Sequence, residues 1–317
     1  MADSTDNVAT HIARATVRDV TLRDGLQLTG GLLSAEKKVA IARSLFALGI
    51  EMMEIGAMAR PDKVPPMANT LEVIGLLTAD ELGKSWIWAA TPRGIQRALD
   101  AGGRNFEYCF SVSDTHNLAN VGRETEKSLA AMPEAIEAVT AVGGQIQLTL
   151  ATSFSCPFEG MVDPGKVIGI VNDPRTLGAT SVAICDTLGQ AVPAQVASLI
   201  SRVAQETPER EIFYHGHDTW GLGVANTLAA IDSGACTVDG ALGGLGGCPF
   251  APGASGNAAT EDLLFAMRPH WLTPSAFAEL VRTAESLLTT LGEPNRSKAA
   301  QGARSTSGVF KWAIQSN

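Results

Sequence analysis

The chain predicts an α/β fold, a (β/α)8 barrel with extra helices at its C-terminal end, and three observations carry that expectation. Eight strand-like apolar runs alternate with helical patterns, an order that implies parallel strands joined by crossover helices. Eight such units within ~260 residues suit a closed barrel better than an open doubly wound sheet. No G-x-G-x-x-G follows the first run, which counts against a dinucleotide-binding sheet.

The runs cover residues 15–22, 51–57, 86–90, 105–112, 145–151, 181–185, 211–217 and 237–242. The helical patterns cover residues 34–48, 66–77, 92–101, 123–142, 164–177, 193–205, 221–233 and 257–267. Ser34 stands where a capping hydroxyl is wanted, and Pro66, Pro92, Pro164 and Pro193 stand in first turns, where a missing N–H costs nothing. Residues 274–292 read as a further amphipathic helix outside the barrel. The expected organisation is a polar N-terminal segment (1–14), a barrel domain with its C-terminal helix (15–292) and a loosely held polar tail (293–317).

Composition narrows the function. Of 317 residues, 45% are apolar and 18% charged, enough for a large core and too ordered a mixture for global disorder. A net charge of −9 argues against nucleic-acid and anionic-membrane partners. No run of 18 apolar residues occurs, and residues 1–14 lack the apolar centre of a signal peptide. Cys109, Cys156, Cys185, Cys236 and Cys248 are odd in number and lack C-x-x-C spacing, which points to free thiols in a reducing cytoplasm.

Active sites of such barrels lie at the C-terminal strand ends, and polar residues gather there. Arg23 and Asp24 follow the first run, Glu54 lies in the second, Asp186 follows the sixth, and His215 and His217 end the seventh. The eighth opens into a Gly-rich loop holding Cys248 and ending at Asn257. Residues two apart on a strand share a face, so His215 and His217 aim two imidazoles, common metal ligands, at one point. Plainer readings stand beside these. Asp24 caps a turn, Asn257 caps a helix, Cys248 is a small apolar filler, and Glu54 and Asp186 form salt bridges in the mouth. Arg23 and Asp24 are adjacent, so they share a site only if the chain bends at Gly25.

Three segments carry a resemblance: Thr21-Leu22-Arg23-Asp24-Gly25-Leu26-Gln27, His215-Gly216-His217-Asp218-Thr219-Trp220-Gly221, and the stretch from Gly243 through Cys248 to Asn257. The first two resemble the metal-dependent aldolase and lyase TIM barrels. The third resembles 3-hydroxy-3-methylglutaryl-CoA lyase, as do Cys156-Pro157-Phe158-Glu159-Gly160 and Ala258-Ala259-Thr260-Glu261-Asp262. The resemblance implies a divalent cation, Mg2+ or Mn2+, on Asp24, His215, His217 and Asn257, a donor set that suits either ion. It implies an acyl-CoA substrate cleaved to acetyl-CoA and a keto acid. Arg23 would stabilise the departing enolate and Cys248 would protonate it. Glu54 and Asp186 would orient Arg23 and substrate, and Gln27, Gly56, Ala57 and Thr149 would bind substrate. The partners expected are that acyl-CoA and further copies of the chain, as a homodimer or higher homo-oligomer.

The sequence departs from the family pattern at Leu28-Thr29, at Ile55-Gly56-Ala57-Met58, and at Thr149 and Ala151, where the lyases carry a tyrosine and a serine. Those positions lie on the acyl side, so they predict a roomier pocket and a longer or differently oxidised acid. Two other readings remain open: the reverse chemistry of a Claisen acyltransferase, and a metal-binding protein without activity.

Overall fold

The computed structural model describes residue 12 and residues 14–247, 255–305 and 310–314. Eight parallel strands close into a barrel: β1 (Thr16–Asp19), β2 (Met52–Ala57), β3 (Ser85–Ala89), β4 (Asn105–Ser111), β5 (Ile146–Ala151), β6 (Ser181–Asp186), β7 (Glu211–Gly216) and β8 (Thr237–Gly240). Each pairs with its sequence neighbours, and β1 closes on β8 with Thr16 opposite Thr237. Barrel strands are covered on both faces, and β4 and β5 are buried at every residue. That is why they read as continuous apolar runs.

Local chemistry starts the helices where the sequence reading placed them. Ser34 accepts from the Lys37 amide at the start of Ala35–Leu48, and Thr91 accepts from Gly94 ahead of Pro92–Asp100. Elsewhere tertiary pairing overrides the pattern. β1 stops at Asp19, and Thr21–Gly25 wind into one π-helical turn. The Asp19 carboxylate accepts from the Thr21 amide at 3.0 Å, and the Thr21 hydroxyl accepts from Leu242 N at 2.8 Å. The single helix expected over 123–142 is two, Thr125–Ala130 and Met132–Thr140, with Pro133 in the first turn of the second. A helix not foreseen, Asp114–Val121, precedes them behind a Ser113 cap. The last barrel helix starts at Thr260, not 257, because residues 257 and 259 are drawn into β-bridges with His217 and Ala241.

The tail is not loose among the described residues. Ser297 caps a short helix, Lys298–Ala303, and Asp262 accepts from Ser297 Oγ and the amides of Lys298 and Ala299. Trp312 packs edge-on against Phe265 and Phe277, with centroids 5.9 and 5.8 Å away, and the Arg268 guanidinium lies 4.4 Å from its ring. Phe310 adds a second aromatic contact, its ring centroid 6.3 Å from that of Phe265, and Ala300 and Ala303 of the short helix are buried. No helix of the described residues is long and apolar enough to cross a membrane.

Inside the barrel, Trp86, Ala183 and Phe213 form a small apolar layer. Above it lies a buried ionic layer on the C-terminal side, and above that the mouth.

Candidate metal centre and active site

The ionic layer is centred on Arg18, which is fully buried. Its guanidinium donates to both oxygens of Asp239 at 2.8 Å, and it pairs with Glu107 at 2.5 Å and Glu54 at 3.8 Å. It lies over the rings of Phe213 and Trp86, 5.0 and 5.6 Å from their centroids. A buried cation needs such partners, because removing one member of a buried ion pair typically costs about 3–5 kcal/mol.

Asp239 faces the other way as well. Its Oδ2 lies 3.0 Å from His215 Nδ1, which leaves Nε2 of that ring free to face the mouth. Burial by itself would raise the Asp239 carboxyl, but Arg18 and His215 outweigh it and hold it at about 2. Burial opposes a charged His215, and the same Asp239 contact overcomes it and raises the imidazole. This is the carboxylate–histidine pairing that fixes tautomer and ring direction in metal sites.

Asp24, His215 and His217 each place one donor atom within 4.8 Å of the others. The two rings are 5.2 Å apart, and His217 Nε2 is 3.5 Å from Asp24 Oδ2. Asn257 joins them from the far end of the chain. Its Nδ2 donates to Asp24 Oδ2 at 2.7 Å and to Leu245 O at 3.0 Å. Asn257 Oδ1 and His217 Nδ1 are both buried without a hydrogen-bond partner. A buried amide oxygen left unpaired next to these donors would be costly in an apolar site, and a divalent cation held by Asp24, that oxygen and one nitrogen of each imidazole would satisfy it. Carboxylate, amide oxygen and imidazole suit Mg2+ or Mn2+, so the residues fit the ion that the resemblance implies. Gly246 makes the approach feasible: its φ is +114°, and a Cβ there would lie 2.6 Å from Asn257 Nδ2 and 3.0 Å from Asp24 Oδ2.

Arg23 and Asp24 reach the same site because the π-turn, rather than a bend at Gly25, puts both on one side. Arg23 Nη1 donates to Asp24 Oδ1 at 2.6 Å, and its Nε and Nη2 clasp the Glu54 carboxylate. Gly25 matters instead for space, since a Cβ there would sit 3.2 Å from that of Leu245. Burial alone would raise Asp24, yet Arg23 and the two imidazoles hold its carboxyl well below the usual range. A carboxylate that stays ionised can hold a cation.

The remaining predicted residues are dispersed around this core. Glu54 holds Arg23 directly. Asp186 is committed to the amides of Gln190 (3.1 Å) and Ala191 (3.0 Å), so it anchors the loop after β6 and makes no hydrogen bond to Arg23. Thr149 faces inward and its hydroxyl donates to Gln147 Oε1 at 3.0 Å. Gln27 is half-buried just beyond the π-turn. Ala57 lies in register with Trp88. Gly56 does not face the acyl side: a Cβ on it would lie 2.5 Å from Thr70 Oγ1, on the helix side of β2. A register shift between Glu54 and Gly56 breaks the two-residue period there. Cys248 lies outside the described residues.

Sequence reasoning missed Arg18, Glu107, Asp239 and Trp88. The first three shared a signal: a charge in the middle of a barrel strand has nowhere to go but an internal ion layer.

Residues 14–287 match the HMGL-like family model. The chain is similar to the (R)-citramalyl-CoA lyase of Chloroflexus aurantiacus, with 33% identity covering 88% of this chain and 92% of that one. It is also similar to the hydroxymethylglutaryl-CoA lyase of Pseudomonas mevalonii, with 32% identity covering 91% and 97%. Among solved structures, an HMG-CoA lyase from Acinetobacter baumannii in complex with coenzyme A and 3-methylmalate matches with a TM-score of 0.84 and 34% identity, covering 93% and 97%.

Proposed function

The chain belongs to the HMGL-like family and is a carbon–carbon lyase, and from that premise we propose that it cleaves the CoA thioester of a short 3-hydroxy-3-methyl dicarboxylic acid. The products are acetyl-CoA and a keto acid. The observation that carries this reading is the joining of Asp24, His215, His217 and Asn257 beside Arg23 at the barrel mouth.

Asp24, His215, His217 and Asn257 would hold the divalent cation, Mg2+ or Mn2+, which when bound supplies Lewis acidity towards substrate oxygens. The chain does the rest. Transfer of the carbinol proton to solvent water lets the C–O bond become a ketone, and the adjacent C–C bond breaks with its electron pair passing to the thioester as an enolate. Arg23, fixed by Glu54 and kept cationic by its two carboxylate neighbours, offers positive charge to that enolate oxygen. Cys248 delivers the proton that turns the enolate into acetyl-CoA.

Mixing the protein and Mn2+ with citramalyl-CoA or 3-hydroxy-3-methylglutaryl-CoA should release acetyl-CoA, read by mass spectrometry. No release from either, at metal saturation, overturns the reading. A homodimer or higher homo-oligomer and a cytoplasmic location belong to the same proposal, tested by light scattering and by fractionation.

A further inference from the structure

Trp88 occupies the space that the small residues on the acyl side leave open. Along β3, Trp86 points inward under Arg18, while a Cβ on Gly103 outside the barrel would touch Ile87. The two-residue period then turns Trp88 inward. Its register partner on β4 is Glu107, whose carboxylate meets Arg18 and Arg23 inside the barrel. Its partner on β2 is Ala57, and Cys109 and Thr149 sit side by side on β4 and β5. One large ring thus shares the inner face of this side with three small side chains. Cys109, one pleat along β4 from Glu107 on the same face, extends this inward row towards the mouth. The indole therefore stands about one side chain from the residues that handle the reacting carbon. It is only half-buried, whereas Trp86 is fully buried, so part of an apolar face remains open in a mouth otherwise lined by charge. Neither the cation nor an enolate oxygen has a use for that face.

We propose that Trp88 is a specificity-determining wall that ends the acyl pocket and selects thioesters whose carboxyl group is attached directly to the carbinol carbon over those with one more methylene between them. This rests on the lyase reading above. The pocket is closed by a residue from β3, so the enlargement suggested by Thr149, Ala151 and Ala57 does not translate into a longer substrate.

The test is the ratio of kcat/KM for citramalyl-CoA to that for 3-hydroxy-3-methylglutaryl-CoA, measured by competition in one tube with Mn2+. A ratio of this kind does not depend on the fraction of active protein, so partial unfolding of a variant leaves it readable. One methylene in an apolar pocket is worth roughly 10- to 200-fold, and the wild type is expected to favour the shorter ester by that order. Trp88→Ala should lower the ratio at least tenfold, and Trp88→Phe should fall between. Cleavage of both esters with an unchanged ratio in both variants overturns the role of Trp88 alone, as does a wild-type preference for the longer ester. No cleavage of either ester by the wild type overturns the lyase reading and this inference with it.

Discussion

The two halves of the barrel mouth are built on different plans. On the side of β1, β7 and β8, charged and polar side chains hold one another in a chain: Asp24 to Arg23 and Asn257, His215 to Asp239, and Asp239 to Arg18. On the side of β3, β4 and β5, the wall is made of Trp88, Cys109 and Thr149, single residues on separate strands. The first half can do one kind of chemistry and tolerates little change. The second decides what fits, and one residue of different size there changes the answer without disturbing the ions. Substitutions at His217, Asp239 and Glu261, together with one at Cys248, sharpen the contrast with the Trp88 series, which alters preference and leaves the metal alone.

The largest effect belongs to His217→Ala. A Lewis-acidic cation contributes several kcal/mol to such a step, so turnover should fall more than ~10^3-fold. Titration calorimetry should show Mn2+ binding lost, and wild-type activity that persists in excess chelator would break the metal assignment. Next, Cys248→Ala should lower kcat by roughly 10^2 to 10^4, the range for a positioned acid, with Mn2+ affinity and thermal midpoint close to wild type. An early-melting variant whose folded fraction turns over normally would make Cys248 a packing residue. Asp239→Asn should cost less turnover than either, and it acts through the ion. It keeps the shape but weakens the grip on His215, and loss of such a partner costs metal affinity roughly 10- to 100-fold. An unchanged Mn2+ affinity would detach Asp239 from the site.

The smallest effect is one of stability. Burial pushes Glu261, whose oxygens accept from the Gly243 amide, up to about 8 from 4.5. The folded chain therefore keeps this proton over a range in which the unfolded chain has lost it. Its contribution is full below pH 4.5 and fades as pH rises towards 8. Glu261→Gln removes that dependence. The thermal midpoint of the variant relative to wild type should rise between pH 5 and pH 8, and a constant difference would show that Glu261 titrates normally.

The same contrast explains what the sequence could reveal. His215 and His217, or Arg23 and Asp24, are neighbours in the chain, so local spacing exposes them. The alternation of runs and helices likewise exposes the barrel, since each β/α unit is itself a local pattern. Asp239 is legible only once β8 is known to lie beside β7. Trp88 looks like any core tryptophan until its register with Glu107 is known. Gly56 misled for a different reason: the register shift in β2 turns it towards Thr70, and no pattern of residue types announces that irregularity.

Asp24 and Asn257 stand 233 positions apart and share a hydrogen bond across the seam where β1 meets β8. During synthesis on the ribosome, the first donor emerges long before the last. A nascent chain that has only just passed β7 carries Asp24, His215 and His217 but neither Asn257 nor the seam, so the proposed donor set is complete only when the barrel closes. Held as proposed by these four donors, an ion would act as a clasp on the completed ring, favouring the closed form over an opened one by mass action. Activity in this chain is in that sense a receipt for finished folding.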